Sequence, residues 1–328
     1  MTEAPATTVE TPAATDVGVE LAATPFRMFH VRVAALQRMC PSLLRVTFTG
    51  DDLDRFADNG FDQRIKFFLP VTGSPYADLI DLGRTGDWYG TWRALPDDRR
   101  HPMRTYTARG VRPHPRELDV DIVLHGDTGP ASRWASTAQV GDDLVVMGPN
   151  ADHAGPHGGV DFVPPARTDR LLIAGDETAL PAISGIVERL PRDARGEVLI
   201  EMPWSDDRLD LGAPAGVHVH WLGRDGRAHG ELLVPGVQAA AARLLPGQAP
   251  APDADLEDVD IDEGMLWEVP IDHTTGAPLA AEAHLYAWLA GEAGVIKTLR
   301  RHLVSECGVD RKAVAFMGYW RQGRCETN

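Results

Sequence analysis

The stretch HPMRTYTARG, residues 101–110, decides how the first half of this chain is read. Arg104, Thr105, Tyr106 and Thr107 alternate as in a half-buried β-strand. The alternation sets Arg104 and Tyr106 on one face and Thr105 and Thr107 on the other, and neither face is apolar. Taken alone, such a strand also suits an ordinary surface. The segments around it decide.

Working outward, FHVRVAALQRM, LLRVTFTG, RIKFFLP, ELDVDIVLHG and DDLVVMGP are short strand candidates separated by Pro, Gly and Asp. With RTYTARG they make six strands between Phe26 and Gly148, the spacing of a small antiparallel barrel. One helix candidate interrupts them, GPASRWASTAQV, with Pro130 near its start and Gly141 after its end. NADHAGPHGGVDFVPPARTD has no period and reads as a loop or domain crossing. Beyond it RLLIAGD, GEVLIEM, GVHVHWLG, AHLYAWLAG and AVAFMGYW read as strands. ALPAISGIVERL, LLVPGVQAAAARLL and AGVIKTLRRHLVSEC read as helices between them. That alternation predicts an open, mostly parallel α/β sheet. The expected organisation is a disordered leader at 1–24, a barrel domain at 25–150, a linker at 151–166 and an α/β domain at 167–328. An acidic insertion falls near 247–282.

A length of 328 residues favours two domains, and 43% hydrophobic with 24% charged residues is ordinary for a globular protein. The net charge of −16 argues against nucleic acid and anionic membrane surfaces as partners. Asp253, Asp255, Glu257, Asp258, Asp260, Asp262 and Glu263 concentrate much of it in one run, which reads as a solvated loop. Cys40, Cys307 and Cys325 make neither metal-ligand spacing nor an even disulfide set, which fits a reducing compartment. No segment is apolar enough to span a bilayer, and the N-terminus lacks the features of a signal peptide. A cytoplasmic monomer is expected.

A flavin needs an aromatic platform, a cation for its phosphates and a hydrogen-bond donor near its reactive edge. Arg104, Tyr106 and Thr107 supply those types in order. In HGDTGPASRWA, residues 125–135, Gly126 and Gly129 permit a tight turn and Pro130 pre-sets the first helical turn. The N–H groups of Ala131 and Ser132 then face an anion site suited to a pyrophosphate. In LLIAGDETALPAI a strand runs into Gly175, Asp176, Glu177 and Thr178 and then a helix, the place where α/β sheets bind nucleotides. Thr178 also reads as an N-cap. YAWLAGEAG puts Gly291, Glu292 and Ala293 at a second strand end, and GYWRQG puts Tyr319 and Trp320 at a third. No nucleophile elbow, histidine metal spacing or iron–sulfur cysteine pattern is present.

The combination of RTYTARG, HGDTGPASRWA, AGDETALPAI, WLAGEAG and GYWRQG resembles the siderophore-interacting protein family, FAD-dependent ferric-siderophore reductases with a ferredoxin-reductase-like fold. DQRIKFFLP is similar to an early strand of that family, and the resemblance spans about residues 26–324. It implies an antiparallel flavin-binding barrel followed by a parallel α/β nucleotide-binding domain. It implies that Arg104, Tyr106 and Thr107 hold the flavin, and that His125, Gly126, Gly129, Pro130, Ala131 and Ser132 form the pyrophosphate turn. Gly175, Asp176, Glu177, Thr178, Gly291, Glu292 and Ala293, with Tyr319 and Trp320, fall to the nicotinamide-nucleotide side. Lys66, with Arg133 and Arg321, falls to the pocket for an anionic ferric siderophore. The implied reaction uses NADH or NADPH to reduce siderophore-bound Fe(III) to Fe(II) in the cytoplasm, and no protein acid or base is obligatory. Glu201, ending GEVLIEM, suits a ribose hydroxyl and NADH, whereas Arg208 suits a 2′-phosphate and NADPH. Two other readings stay open: a general flavin reductase or oxygenase reductase component, and a non-enzymatic siderophore-binding protein.

Overall fold

A computed structural model of the chain describes residues 24–124, 129–245 and 266–323. The expected leader up to residue 23, His125 and Gly126 of the pyrophosphate turn, and residues 246–265 of the acidic insertion lie outside the described residues.

The first sheet is antiparallel and seven-stranded. Its strands are β1 (Phe26–Cys40), β2 (Leu43–Thr49), β3 (Arg64–Phe68), β4 (Met103–Thr107), β5 (Gly110–Arg112), β6 (Glu117–Val123) and β7 (Asp143–Pro149). The order is β4-β3-β7-β1-β2-β6-β5. The alternating apolar residues predicted for these strands form its core: Phe29, Val31, Val46, Phe48, Ile65, Phe67, Val120 and Val146 are all buried. The two edge strands, β4 and β5, are consecutive in the chain. Between them Ala108 N–H donates to Gln63 O at 2.9 Å, and Arg109 N–H donates to Asp119 O at 2.9 Å. The bend after RTYT thus carries the ladder from one edge of the sheet to the other and curls it into a half-barrel. RTYTARG is therefore two strands, β4 and β5, where the sequence reads as one.

A second difference is helical. Besides α3 (Pro130–Thr137), two helices interrupt the barrel strands, α1 (Tyr76–Leu82) and α2 (Trp88–Ala94). Each is only seven residues long, and the region is punctuated by Pro, Gly and Asp, so no helical period accumulates. Leu79 and Trp92 pack with Phe68, Val145 and Met147 on the outer face of the sheet.

The second sheet has six strands in the order β10-β9-β8-β12-β13-β11. They are β8 (Arg167–Asp176), β9 (Arg195–Met202), β10 (Gly216–Gly223), β11 (Trp267–Glu268), β12 (Glu282–Glu292) and β13 (Val314–Trp320). Helices α4 (Leu180–Glu188), α5 (Leu233–Leu244) and α6 (Ala293–Arg301) cover it. The sheet is parallel except for β11, which runs antiparallel to β13. β11 is two residues from the stretch read as insertion, too short to show a period. The chain order reverses between β8 and β12, the switch point at which open α/β sheets leave a crevice.

Buried polar pins join the two sheets. Asp62 accepts from Asp161 N, Phe162 N and, at 3.0 Å, from Trp288 Nε1. Asp207 accepts from Ser42 N at 2.8 Å and Ser42 Oγ at 2.7 Å. Burial first, then the charge of Asp161, raises the Asp62 carboxyl to about 6.

Candidate functional site

On the barrel side, register decides what β4 presents. Tyr106 lies opposite Ile65 and Arg104 opposite Phe67, so both share the face of β3's core residues. Thr105 lies opposite Lys66 and Thr107 opposite Arg64, on the other face. Tyr106 packs on Phe67 with ring centroids 4.6 Å apart, and Phe67 meets Trp134 of α3 edge-on at 6.4 Å. Phe67 therefore joins the RTYT strand to the helix that starts at Pro130. Gly129 is the N-cap of α3, and among the described residues no side chain caps that end and a Cβ on Gly129 would meet nothing within 4 Å. The first turn of α3, with Ala131 and Ser132, thus presents its backbone N–H groups at a helix start.

Lys66 is on the face of β3–β4 away from Tyr106, and its Nζ donates to Thr105 Oγ1 at 2.7 Å. Arg64 shares that face. Its Nε is 3.0 Å from Asp161 Oδ2, and its guanidinium lies 4.5 Å over the Trp267 ring. Trp267 in turn stacks on Tyr319 at 5.5 Å. This chain of contacts brings the β3–β4 pair to the carboxyl end of β13. Arg133 is exposed on α3, and Arg321 follows β13.

On the α/β side, Asp176 gathers three strand ends. Its Oδ1 accepts from Thr178 N at 2.9 Å and from Thr178 Oγ1. Its Oδ2 accepts from Glu292 N and Trp320 Nε1, both at 2.8 Å. Thr178 is thus a partner of Asp176 rather than an N-cap; the residue at that position of α4 is Ala179. Gly291 sits at φ 148°, and a Cβ there would lie 2.6 Å from Asp176 Oδ2, so only glycine lets β12 pass this carboxylate. Gly175 is as crowded, its Cβ position lying 2.5 Å from Ala290 O. Glu292 caps α6 by accepting from Val295 N at 2.9 Å, with Ala293 at the first helical position. Burial first, then the charge of Glu177, raises the Asp176 carboxyl to about 6.

Glu177 is buried in a two-pronged ion pair with Arg224, at 2.7 and 2.8 Å. Glu201 corrects an expectation. It is fully buried, and its oxygens accept from Gly230 N at 2.8 Å, Leu232 N at 3.1 Å and Leu233 N at 3.0 Å. It caps the start of α5, so its carboxylate is committed to backbone and does not face a ribose. Arg208 is exposed beyond β9, its Nε donating to Ser205 O at 3.1 Å.

Arg224 and His229, which follow β10, were not legible from the sequence. The ring of His229 meets Trp320 at 4.8 Å, edge-on, and its buried Nδ1 has no hydrogen-bond partner among the described residues. Burial first, then the Arg224 charge, lowers its pKa. Among the described residues, Asp176, Glu177 and His229 bring ligand-type atoms within 4.8 Å of one another. The Asp176 oxygens already take four donors and Glu177 is held by Arg224, so this cluster suits a pinned strand edge better than a cation.

Two family models cover most of the chain: a siderophore-interacting FAD-binding domain over residues 32–153 and a siderophore-interacting protein model over residues 168–323. The ferric vibriobactin reductase of Vibrio cholerae is 31% identical over 286 residues, 87% of this chain and 86% of that protein. The NADPH-dependent ferric-chelate reductase of Escherichia coli is 28% identical over 90% of this chain and 93% of that one. The crystal structure of the siderophore-interacting protein SipS from Aeromonas hydrophila superposes with a TM-score of 0.62 at 30% identity, covering 92% of this chain and 94% of the other. With the barrel, the switch-point sheet and both halves matched, the chain belongs to the siderophore-interacting protein family.

Proposed function

We propose that this protein is an FAD-dependent oxidoreductase that uses NADH or NADPH to reduce Fe(III) in a ferric siderophore. The observation that carries the reading is the contact chain Arg64–Trp267–Tyr319, which sets the strand pair bearing RTYT against the strand ends of the α/β sheet. The contact leaves from the Arg64–Thr107 face of the strand pair, so the elements that carry the two expected sites touch one another. The relatives named as ferric reductases support the same activity.

The residues fit an FAD. Arg104 and the first turn of α3 offer charge and N–H groups to its phosphates. Tyr106, backed by Phe67 and Trp134, offers the aromatic face, while Thr107, buried on the other face of the strand, sits at the strand end beyond it. When bound, FAD supplies the exchange between a two-electron donor and a one-electron acceptor. The chain positions the partners: Trp320, held by Asp176, and Tyr319 stand at the α/β edge, and Gly175 and Gly291 let the strand ends approach one another at the switch point. Lys66 supplies positive charge for an anionic ferric complex, in an otherwise acidic protein. With Glu201 committed to α5, the exposed Arg208 offers a basic group to a 2′-phosphate, which favours NADPH of the two donors.

The experiment is a visible spectrum of the purified protein, release of the cofactor by heat and its identification by mass. Anaerobic mixing with NADPH or NADH and then with ferric catecholate or hydroxamate siderophores follows, with Fe(II) trapped by a chromogenic chelator. Bound FAD, bleaching by NADPH and Fe(II) formation are expected. A colourless protein would favour a binding protein, and faster reduction of free flavin than of ferric siderophore would favour a general flavin reductase.

A further inference from the structure

At the end of α6 the chain leaves the α-helical repeat, and His302–Glu306 form one π-helical turn. Cys307 N–H closes it by donating to His302 O at 2.9 Å. Leu303 and Val304 anchor the turn in the core. The wider turn brings three side chains together. His302 Nδ1 lies 2.7 Å from Glu306 Oε2, and His302 Nε2 lies 3.3 Å from Cys307 Sγ. An ionised carboxylate only accepts, so Nδ1 carries the ring proton and donates to Glu306. Nε2 then turns its lone pair to the thiol, whose S–H donates to it. A nucleophile, a base within reach and a group orienting the base are the parts of an activated thiol. From Ala293 to Cys307 is roughly 20 Å of helix, so the group stands apart from the strand ends gathered by Asp176.

We propose that Cys307 is a modification site for small uncharged electrophiles, hydrogen peroxide being the cellular member of that class, with His302 as its base and Glu306 as the positioning residue. Sulfur attacks one peroxide oxygen as the O–O bond breaks. The thiol proton passes to His302 Nε2 and on to the leaving hydroxide, giving water. Cys307 is oxidised to a sulfenic acid and the peroxide is reduced. Burial first, and then the Glu306 charge, raises the Cys307 pKa, so the resting thiol keeps its proton and depends on the base. Cys40 is the internal control: it is buried, its side-chain neighbour is the Asp207 carboxylate rather than an imidazole, and its thiol is pushed up to about 11, chiefly by burial.

The test labels the whole folded protein with iodoacetamide at neutral pH and follows each cysteine by peptide mass spectrometry. Cys307 is expected to react about tenfold or more faster than Cys40, and His302→Gln to slow it by about tenfold or more. Glu306→Gln is expected to slow it to a lesser degree, with Glu306→Asp restoring part of the rate. After hydrogen peroxide, a sulfenic-acid trap is expected on Cys307 in the parent protein and not in His302→Gln. Loss of fold in His302→Gln would show as faster Cys40 labelling. Glu306 is exposed, so its glutamine variant keeps the fold and the test. A Cys307 rate equal in the parent and in Glu306→Gln, or no faster than that of Cys40, overturns the proposal.

Discussion

Replacing Glu201 with glutamine separates a structural carboxylate from a ribose contact. The two Glu201 oxygens accept three backbone N–H groups, from Gly230, Leu232 and Leu233, at 2.8–3.1 Å. Glutamine keeps one acceptor oxygen and puts an NH₂ group where the other stood. At least one buried N–H then faces a donor, at a cost of roughly 1–3 kcal/mol. The negative charge at the start of α5 is also lost, worth roughly 0.3–1 kcal/mol. Arg224 Nη1, 3.5 Å from Glu201 Oε2, loses a neighbour but keeps its pair with Glu177. The expected total is about 1–4 kcal/mol. For a cooperative unit of 150–250 residues each kcal/mol moves Tm by roughly 2–4 °C, so Glu201→Gln should melt roughly 3–15 °C below the parent. Thermal unfolding by circular dichroism measures this. Stopped-flow flavin reduction gives the ratio of half-saturating NADPH to NADH, which should not change. An unaltered Tm together with a shift of about tenfold in that ratio, the 1.4 kcal/mol of a lost ribose contact, would refute the reasoning.

Three further outcomes are expected. Arg104→Ala and Tyr106→Ala should each weaken FAD by about ten- to a hundredfold, since a charge-assisted phosphate contact is worth roughly 1.5–3 kcal/mol and the ring platform a comparable amount; full occupancy at unchanged affinity in both would make RTYT a structural strand. Lys66→Ala should slow reduction of an anionic ferric siderophore by about tenfold and leave reduction of the flavin by NADPH unchanged, because one pocket charge touches only one half-reaction; equal slowing of both half-reactions would remove Lys66 from the pocket. The Asp62 carboxyl is raised from the ordinary 3.8 to about 6, so its favourable contribution is complete below about pH 4 and is lost as pH rises through 6. Across that interval the parent should lose up to about 3 kcal/mol relative to Asp62→Asn, which stays uncharged; a Tm gap between the two that stays constant from pH 4 to pH 7 would contradict this.

Strands β1 to β3 were legible because a buried face recurs along them, and β6 to β10, β12 and β13 because short apolar runs between turn residues read as strands. The two short helices and β11 were not, because two to seven residues hold too few repeats for a period, and their apolar residues become core only against Phe68 and Tyr319. The same limit applied at the site. Asp176, Gly291 and Trp320 stood out at strand ends, but Arg224 and His229 lie in RDGRAHG, which reads as plain loop. Nothing local distinguishes Glu201, which caps a helix about thirty residues later, from an acidic residue awaiting a ribose.

By itself, the amino-acid sequence determined the two-part architecture, the order of most strands along the chain and the set of chemistry-bearing motifs, because periodicity and turn residues act over a few neighbours. Only the tertiary structure decided which of those motifs meet. The edge-to-edge bend after Thr107, the face on which Lys66 lies, the Arg64–Trp267–Tyr319 contact and the commitment of Glu201 and Asp176 to backbone each depend on residues far apart in the chain. A buried carboxylate is held by whichever donors the fold brings to it, and those are set by packing between distant segments rather than by spacing along the sequence.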